Sequence, residues 1–141
     1  QTALHELHKR YVPIAVKIAP DMDDAMIETV AAVFLRHRVD GVIATNTTVS
    51  RQTLAADIQE AGGLSGQPLR TLSNHVLKRL ATALQGRIPI MGVGGINSPE
   101  DAVEKMTLGA SLVQIYSGFI FEGPDLIPAC VEKLSLLPVG Q

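Results

Sequence analysis

Four short apolar segments recur along the chain, and each is followed by a stretch with helical character. The segments are rich in Ile and Val and show little alternation of apolar and polar residues. This pattern is typical of parallel strands that are covered on both faces. We therefore predict four consecutive β-then-α units, with strands at residues 14–18, 41–45, 88–93 and 111–115.

The helices of these units are predicted from capping residues and from apolar spacing. Ser98 is a favoured N-cap residue, Pro99 suits the first helical position, and the acidic residues at 100–101 suit the first turn. A helix is therefore predicted after the third strand. The other helices are predicted from apolar stripes, which are Met26, Val30, Val33 and Phe34; Leu77, Leu80 and Leu84; and Ile127, Val131 and Leu134.

The order of the units predicts an α/β fold with a parallel sheet and right-handed crossovers. Periodicity alone leaves two architectures open, an open doubly wound sheet and half of a closed (β/α)8 TIM barrel. Polar residues follow the strand ends instead of gathering at one switch point, which favours the barrel. We therefore predict four βα units, half of a barrel, that form one domain over residues 1–141.

The length of the chain predicts that this barrel is incomplete. A complete barrel has about 250 residues, whereas the chain has 141. A half-barrel would leave two sheet edges and an inner apolar layer open, which favours aggregation. The N-terminus is predicted to be an amphipathic helix and lacks an initiator Met. We expect either a missing N-terminal half or self-association that closes the barrel.

Composition argues against several classes of function. The chain is 46% hydrophobic and 18% charged with a net charge of −2, which suits a folded domain and predicts no nucleic-acid surface. No stretch approaches the ~18 apolar residues of a membrane-spanning helix. Cys130, the single cysteine, is predicted to be a buried structural thiol. The four histidines are predicted to lie on helices, and no metal site is proposed.

Lys17 lies near the end of the first predicted strand, within an otherwise apolar run. At the C-terminal end of a barrel strand the inward direction leads to the active site, so the ammonium group would face a ligand. The alternative is that the side chain extends to an outer surface and keeps its charge in water. The strand context alone leaves both interpretations open.

A run of polar side chains follows the second strand. Thr45, Asn46, Thr47 and Thr48 offer both donors and acceptors at one strand end. This set suits a planar ligand with alternating carbonyl and N–H groups. It also suits an ordinary turn in which Asn and Thr bond to nearby backbone amides, and taken alone the turn is the simpler interpretation.

Two turns together predict a phosphate site. Residues 92–96 (Gly-Val-Gly-Gly-Ile) follow the third strand, and their glycines let backbone N–H groups approach an anion. Tyr116, Ser117 and Gly118 follow the fourth strand and add a hydroxyl group. Loops after the last two strands are the usual phosphate site of this barrel, so the pair favours a phosphate-bearing cofactor. Residues 62–66 (Gly-Gly-Leu-Ser-Gly) form a third loop, either flexible or held close to a flat or charged group.

These segments together resemble the class 2 dihydroorotate dehydrogenases. The similarity runs in order and with matching spacing over nearly the whole chain, which corresponds to the C-terminal portion of such a protein. Residues 116–124 are more similar to class 2 than to the soluble class 1 enzymes. The matching segments are residues 17–21, 40–48, 62–66, 92–96 and 109–118.

The resemblance implies roles for individual residues. Lys17 matches a lysine at the pyrimidine edge of FMN, where its charge stabilises the reduced flavin, and Thr45 matches a flavin contact. Asn46 and Thr47 match a pair that binds orotate. The remaining implied cofactor positions lie at the glycine-rich loop and around the ribityl phosphate, and they are Ser65, Gly66, Gly94, Gly95, Tyr116 and Ser117.

The resemblance also implies an activity, the oxidation of dihydroorotate to orotate in pyrimidine biosynthesis. FMN takes the hydride, a side-chain base removes the neighbouring proton, and ubiquinone or menaquinone reoxidises the flavin. The class 2 base is a serine in the N-terminal half, so we predict no catalytic base in this chain and expect the isolated chain to be inactive. The family implies peripheral attachment to the cytoplasmic face of the bacterial inner membrane, through an N-terminal segment that this chain does not contain.

Two alternatives stay open. One is another FMN-dependent TIM-barrel oxidoreductase, although the combination of Lys17, Asn46 and Thr47 matches orotate recognition as well as flavin binding. The other is a non-catalytic half-barrel that binds a phosphate-bearing ligand or only a partner half. The coding sequence upstream of Gln1 would separate them, because the enzyme requires an Asn- and Ser-rich loop there.

Overall fold

The structure, a computed structural model, describes residues 1–52, 54 and 60–138. The predicted strands are present, with ends that differ from the prediction by at most two residues, and β1 to β4 are Ala15–Ile18, Gly41–Ala44, Ile90–Val93 and Leu112–Gln114. Each predicted helix is also present. The helices are α1 (Thr2–His8), α2 (Asp24–His37), α3 (Arg70–Leu84), α4 (Pro99–Thr107), α5 (Ser117–Glu122) and α6 (Leu126–Ser135), with a 3₁₀ turn at Gln67–Leu69. The short helix α5 was not predicted.

The strand order decides between the two architectures. The four parallel strands are neighbours in the order β1-β2-β3-β4. Each crossover therefore moves in the same direction, and right-handed connections then place the intervening helices on one face of the sheet. A doubly wound sheet needs a reversal of strand order, and the described strands contain none. The prediction of a half-barrel is therefore confirmed.

The register of the strands separates an outer face, under the helices, from an inner face. Val42 is aligned with Ile90, and both are buried in the cluster that the helices cover. Their neighbours along the strands point the other way because successive side chains alternate between faces. Lys17 is aligned with Ile43, and Ile43 with Met91, on this inner face. The lysine therefore lies on the inner side of the half-barrel and not beneath the helices.

The helices bury faces that spacing identified only in part. On α3 the predicted stripe is confirmed, since Leu77, Leu80 and Leu84 are fully buried. On α2 the prediction is wrong for Met26 and Val33, which are exposed. This helix is apolar on more than one side, so its spacing could not show which side meets α3. The side chains that α2 does bury are Ile27, Ala31 and Phe34.

On α6 the prediction is wrong for two of the three stripe residues, for the same reason, whereas Leu134 is partly buried against the cluster between α4 and α6. Ile127 and Val131 are exposed, whereas Leu126 and Cys130 face α4 and are buried. The prediction that Cys130 is a buried structural thiol is confirmed, and burial raises the pKa of this thiol. Among the helices of the described ranges, none combines the length and the apolar character needed to cross a membrane.

The predicted start of α4 is confirmed in detail. The Ser98 side chain accepts a hydrogen bond from the Asp101 N–H (3.2 Å), and Pro99 is the first residue of the helix. The Asp101 carboxylate in turn accepts from the Asn97 N–H (2.9 Å). These two bonds hold the segment between β3 and α4 in one conformation, and this segment contains one of the predicted phosphate turns.

Candidate cofactor and substrate site

A cavity of about 210 Å³ lies at the carboxyl ends of the four strands. Parallel strands end on the same edge of the sheet, so residues that are distant in sequence meet there. Every residue that the resemblance assigned to a ligand lines this cavity, although the role of each stays a prediction. They are Lys17, Thr45, Asn46, Thr47, Ser65, Gly66, Gly94, Gly95, Tyr116 and Ser117.

The polar run after β2 divides into structural and available side chains. The Thr48 hydroxyl donates to the Asp21 carboxylate and accepts from the Ser50 N–H (3.0 Å). Thr45 is 1% exposed and donates through its hydroxyl to the Asn46 carbonyl (2.8 Å). Asn46 and Thr47 are exposed, and their side chains hydrogen-bond to no other residue in the described part of the chain. The simple turn therefore accounts for Thr48 but leaves Asn46 and Thr47 available for a ligand.

The glycine-rich loop at residues 62–66 packs against this polar run. Thr48 and Leu64 exchange two backbone hydrogen bonds, of 3.1 and 2.8 Å. A Cβ atom at Gly63 would lie 1.8 Å from Thr47 Oγ1, so a side chain at this position would displace Thr47. The structure therefore favours a held loop over a flexible one, and the approach of this loop to a flat or charged group stays a prediction.

The two predicted phosphate turns and the glycine-rich loop meet at one end of the cavity. Ser117 Oγ donates to Ser65 Oγ at 2.9 Å. A Cβ atom at Gly118 would lie 1.9 Å from the Ile96 carbonyl oxygen, so the two turns are in direct contact. Within the described residues, no protein group accepts a hydrogen bond from the N–H groups of Gly95, Ile96, Ser117 or Gly118. This end of the cavity therefore offers hydroxyl and N–H donors, which suit an anionic group.

The charge of the cavity suits an electron-rich or anionic ligand. Lys17 is the one charged side chain among the described residues that line it, and no lining residue is acidic. Apolar side chains from Leu69, Val93 and Ile96 form part of the wall. A cation, several neutral donors and an apolar wall are the groups that a flavin phosphate and its ring would require, so the residues present fit FMN.

Six residues that line the cavity were given no ligand role by sequence reasoning, although Val93, Ile96 and Gly118 lie within the two predicted phosphate turns; the six are Leu69, Val93, Ile96, Gln114, Ile115 and Gly118. Gln114 is a polar residue in an apolar strand, aligned with Val93, and the same signal had identified Lys17. Gly118 follows Ser117 directly and allows the contact with Ile96 described above. Leu69 lies far from the other lining residues in sequence, and only the packing of the 3₁₀ turn brings it to the cavity.

An ion-pair cluster fixes the β3–α4 turn to the start of α3. The Arg70 guanidinium bonds to Glu104 (2.6 and 2.9 Å) and to Asp101 (2.7 Å). Its hydrogen bonds with Glu104 raise the pKa of Arg70 further. A Cβ atom at Gly95 would lie 2.4 Å from Arg70 Cβ, so the turn and the helix are in direct contact. The cluster therefore restrains the backbone at Gly95.

Lys105 of α4 is buried directly behind the same turn. It is 1% exposed, and its ammonium group donates to the Ser73 hydroxyl of α3. Burial, the largest influence, lowers the pKa of Lys105 to about 8, from an ordinary value of 10.5. A buried lysine whose pKa is depressed disfavours the folded state when it is charged, because the unfolded chain keeps the ammonium in water.

We predict that the free energy of unfolding rises as the pH increases from about 8 towards 10.5, the interval in which the folded protein has released this proton and the unfolded chain retains it. The contribution of Lys105 is expected to be roughly 3 kcal/mol. Urea unfolding of ligand-free protein across this interval would measure it. Lys105→Met should remove the rise, whereas Lys78→Met, at an exposed position on α3, should retain it. An equal rise in Lys105→Met would contradict the assignment.

Comparison with known proteins gives one consistent result. A sequence model of the family described as Dihydroorotate dehydrogenase matches residues 1–137. The chain is 55% identical over 138 residues to the dihydroorotate dehydrogenase (quinone) of Shewanella oneidensis, and 53% identical over 137 residues to that of Thiobacillus denitrificans. Each alignment covers 96% of this chain but 41% of the relative, so the chain spans well under half of their length.

The fold gives the same result. The structure is similar to a crystal structure of DHODH from Eimeria tenella in complex with ferulenol, with a TM-score of 0.83 and 35% sequence identity. The superposition covers 89% of this chain and 34% of that one. A second crystal structure from the same organism, of ligand-free type DHODH, has a TM-score of 0.79 and also 35% identity.

Proposed function

Because the chain belongs to the dihydroorotate dehydrogenase family, we propose that it carries the FMN phosphate site and part of the orotate site of an enzyme that oxidises dihydroorotate to orotate. A quinone, either ubiquinone or menaquinone, is proposed as the final electron acceptor. The observation that carries the proposal is the convergence of Lys17, Asn46 and Ser117, from three different strand ends, on one cavity without acidic lining residues.

The cofactor is proposed to lie with its phosphate at the end of the cavity formed by Gly95, Tyr116 and Ser117. The hydroxyl groups of Ser65 and Ser117 and the free backbone N–H groups supply donors there. Lys17 lies at another part of the lining, where its ammonium would place positive charge beside the polar edge of the ring. FMN, when bound, would supply hydride acceptance, while this chain supplies orientation and charge.

The substrate is proposed to bind through Asn46 and Thr47. Their side chains are the ones that the polar run leaves without a protein partner. An amide and a hydroxyl can both donate to and accept from the carbonyl and N–H groups of orotate. We assign the proton-accepting base to no residue of this chain and propose that it lies in the part of the relatives that the chain does not match.

We also propose that the protein interacts with a quinone and with a membrane. The relatives are named as quinone-dependent enzymes, and a quinone is dissolved in the bilayer. We propose that the protein attaches peripherally to the cytoplasmic face of the bacterial inner membrane. Sedimentation of the protein with membranes, and its release by detergent, would support this location, whereas recovery in the supernatant without detergent would contradict it.

The first test uses protein expressed from its complete gene. It is loaded with FMN, dihydroorotate is added without air, and the visible flavin absorbance is followed. We expect the absorbance to bleach and then to return when a ubiquinone analogue is added. Bleaching by dihydroorotate with no recovery would contradict the proposed acceptor.

The same experiment separates the alternatives. FMN that binds but is not bleached by dihydroorotate would indicate another FMN-dependent oxidoreductase, which a panel of other reductants would then identify. Failure to bind FMN at all would favour a half-barrel with another ligand or with only a protein partner. Either result would overturn the proposed function.

Asn46→Ala should raise the KM for dihydroorotate by about tenfold to a hundredfold, because it removes hydrogen bonds and leaves polar groups of the ligand unpaired. FMN content should not change. Steady-state kinetics and flavin absorbance would measure the two effects. Asn74→Ala, a substitution of an asparagine of α3 that does not line the cavity, is a matched control. Loss of FMN with an unchanged KM would assign Asn46 to the cofactor instead.

A further inference from the structure

Lys105 is a buried cation for which the proposed function provides no role. Its side chain is 1% exposed, and its hydrogen-bond partner in the described part of the chain is the Ser73 hydroxyl. An isolated ammonium group is costly to bury, because it gives up its hydration for few compensating bonds. A methionine would fill a similar volume without that cost. The groups that the ammonium contacts indicate what the charge itself contributes.

The surroundings of Lys105 lead directly to the predicted phosphate turn. Ser73 accepts from the ammonium group and donates to the carbonyl oxygens of Val93 (3.1 Å) and Gly94 (3.3 Å). The Val93 carbonyl also accepts from the Thr45 N–H (3.0 Å). A Cβ atom at Gly94 would lie 3.0 Å from Ser73 Oγ, so the hydroxyl group touches the turn itself.

This arrangement orients the turn as well as holding it. A hydroxyl group that accepts from a cation has its own proton directed away, here towards the carbonyl groups at the end of β3. Each of these carbonyls shares a peptide group with the N–H of the next residue, so the same two peptide groups carry the N–H donors of Gly94 and Gly95. A positive charge behind the turn also raises the electrostatic potential at its front, where an anion would bind.

We propose that Lys105 is a positioning residue for the phosphate group of the flavin, acting through Ser73 on the turn at Gly94 and Gly95. The inference rests on the proposed function, because it assumes that the phosphate binds at this turn. It assigns Lys105 no contact with the cofactor. The charged ammonium favours binding of the dianionic phosphate, and the neutral amine does not.

The charged groups around Lys105 come from two helices. Arg70 of α3 lowers its pKa, and Glu104 and Asp101 of α4 raise it. The strands β3 and β4 contain no titratable residue, and the charged side chains of α6 are exposed. Binding of a phosphate dianion would stabilise the ammonium form. FMN affinity should therefore fall as the pH rises above about 8, where the free protein loses this proton.

Comparison of FMN with riboflavin isolates the phosphate contribution. Protein expressed from its complete gene is freed of flavin, and the Kd of each ligand is measured by flavin fluorescence. For Lys105→Met we expect the Kd of FMN to rise about tenfold, within the range for coupling between linked sites. The Kd of riboflavin should not change. Lys78→Met, which removes an exposed lysine of α3, should change neither value.

The unaltered protein gives a second measurement that requires no variant. The second pKa of a phosphate monoester is about 6, so the phosphate is a dianion throughout the alkaline range. Ring ionisation is common to both ligands and cancels in the ratio of their affinities. We expect the preference for FMN over riboflavin to decrease above about pH 8, and to be independent of pH in Lys105→Met.

The outcomes distinguish this inference from the function on which it rests. Equal weakening of FMN and riboflavin in Lys105→Met would indicate a purely structural residue and would overturn the proposal, as would a pH-independent preference in the unaltered protein. In both cases FMN still binds, so the proposed function would stand. Absence of FMN binding by the unaltered protein would contradict both.

Discussion

Replacement of Gly95 by alanine is expected to destabilise the protein by about 3 kcal/mol or more and to abolish retention of FMN. Gly95 has a φ of +73°, a backbone conformation that is unfavourable for residues other than glycine because of their Cβ atom. Its Cβ atom would lie 2.4 Å from Arg70 Cβ and 2.6 Å from Arg70 Cα. Because Arg70 is held by Asp101 and Glu104, the helix cannot move aside without breaking ion pairs.

Gly86→Ala is the matched control for this substitution. Gly86 has nearly the same φ, +71°, but an added Cβ atom would meet no atom within 4 Å. Its cost is the backbone strain alone, about 1 kcal/mol. Urea unfolding would give the two free energies, and absorbance would give the flavin content. If Gly95→Ala cost no more than Gly86→Ala and retained FMN, the close contact with Arg70 would not be needed for the predicted phosphate turn.

Replacement of Lys17 by methionine is expected to slow flavin reduction by dihydroorotate by about a hundredfold, and to weaken FMN binding. The ammonium group is the one cation among the described lining residues, so its loss leaves negative charge that develops in the cavity without a counter-charge. Removal of one preorganised electrostatic group commonly has an effect of this size. Rapid mixing without air, with FMN at saturating concentration, would measure the rate apart from the binding.

Two controls accompany the Lys17 experiment. Lys78→Met removes an exposed lysine outside the cavity and should leave both rate and binding unchanged. Lys17→Arg retains the charge with a different shape and should recover part of the rate. An unchanged reduction rate in Lys17→Met at full FMN occupancy would show that the lysine faces the cavity without serving the reaction.

The sequence by itself determined the features that depend on local spacing. The four strands, the capped helix that begins at Pro99, and the buried stripe of α3 were all predicted and are confirmed. Periodicity, capping and glycine chemistry act over a few residues, so a short window of sequence contains the information. The resemblance added the family, which the match to residues 1–137 confirms.

The limits of the sequence appear where a local pattern permits two arrangements. Apolar residues on several sides of α2 allowed the wrong face to be chosen, and only the contact with α3 shows that Ile27 and Ala31 are buried. The polar run after β2 is similar, because the hydrogen bond from the Thr48 hydroxyl to Asp21 shows that Thr48 is structural, whereas Asn46 stays available. In both cases the deciding partner lies on another element of the fold.

Tertiary structure alone decided the architecture and the support of the site. The strand order excluded a doubly wound sheet, and the register placed Lys17 on the inner face. The contact between Ser65 and Ser117 joins residues 52 positions apart, and the bond from Lys105 to Ser73 joins residues 32 apart. Such contacts depend on how the helices and strands pack, which local spacing does not encode. The sequence therefore identified the chemical groups of the site, and the fold determined which of them meet.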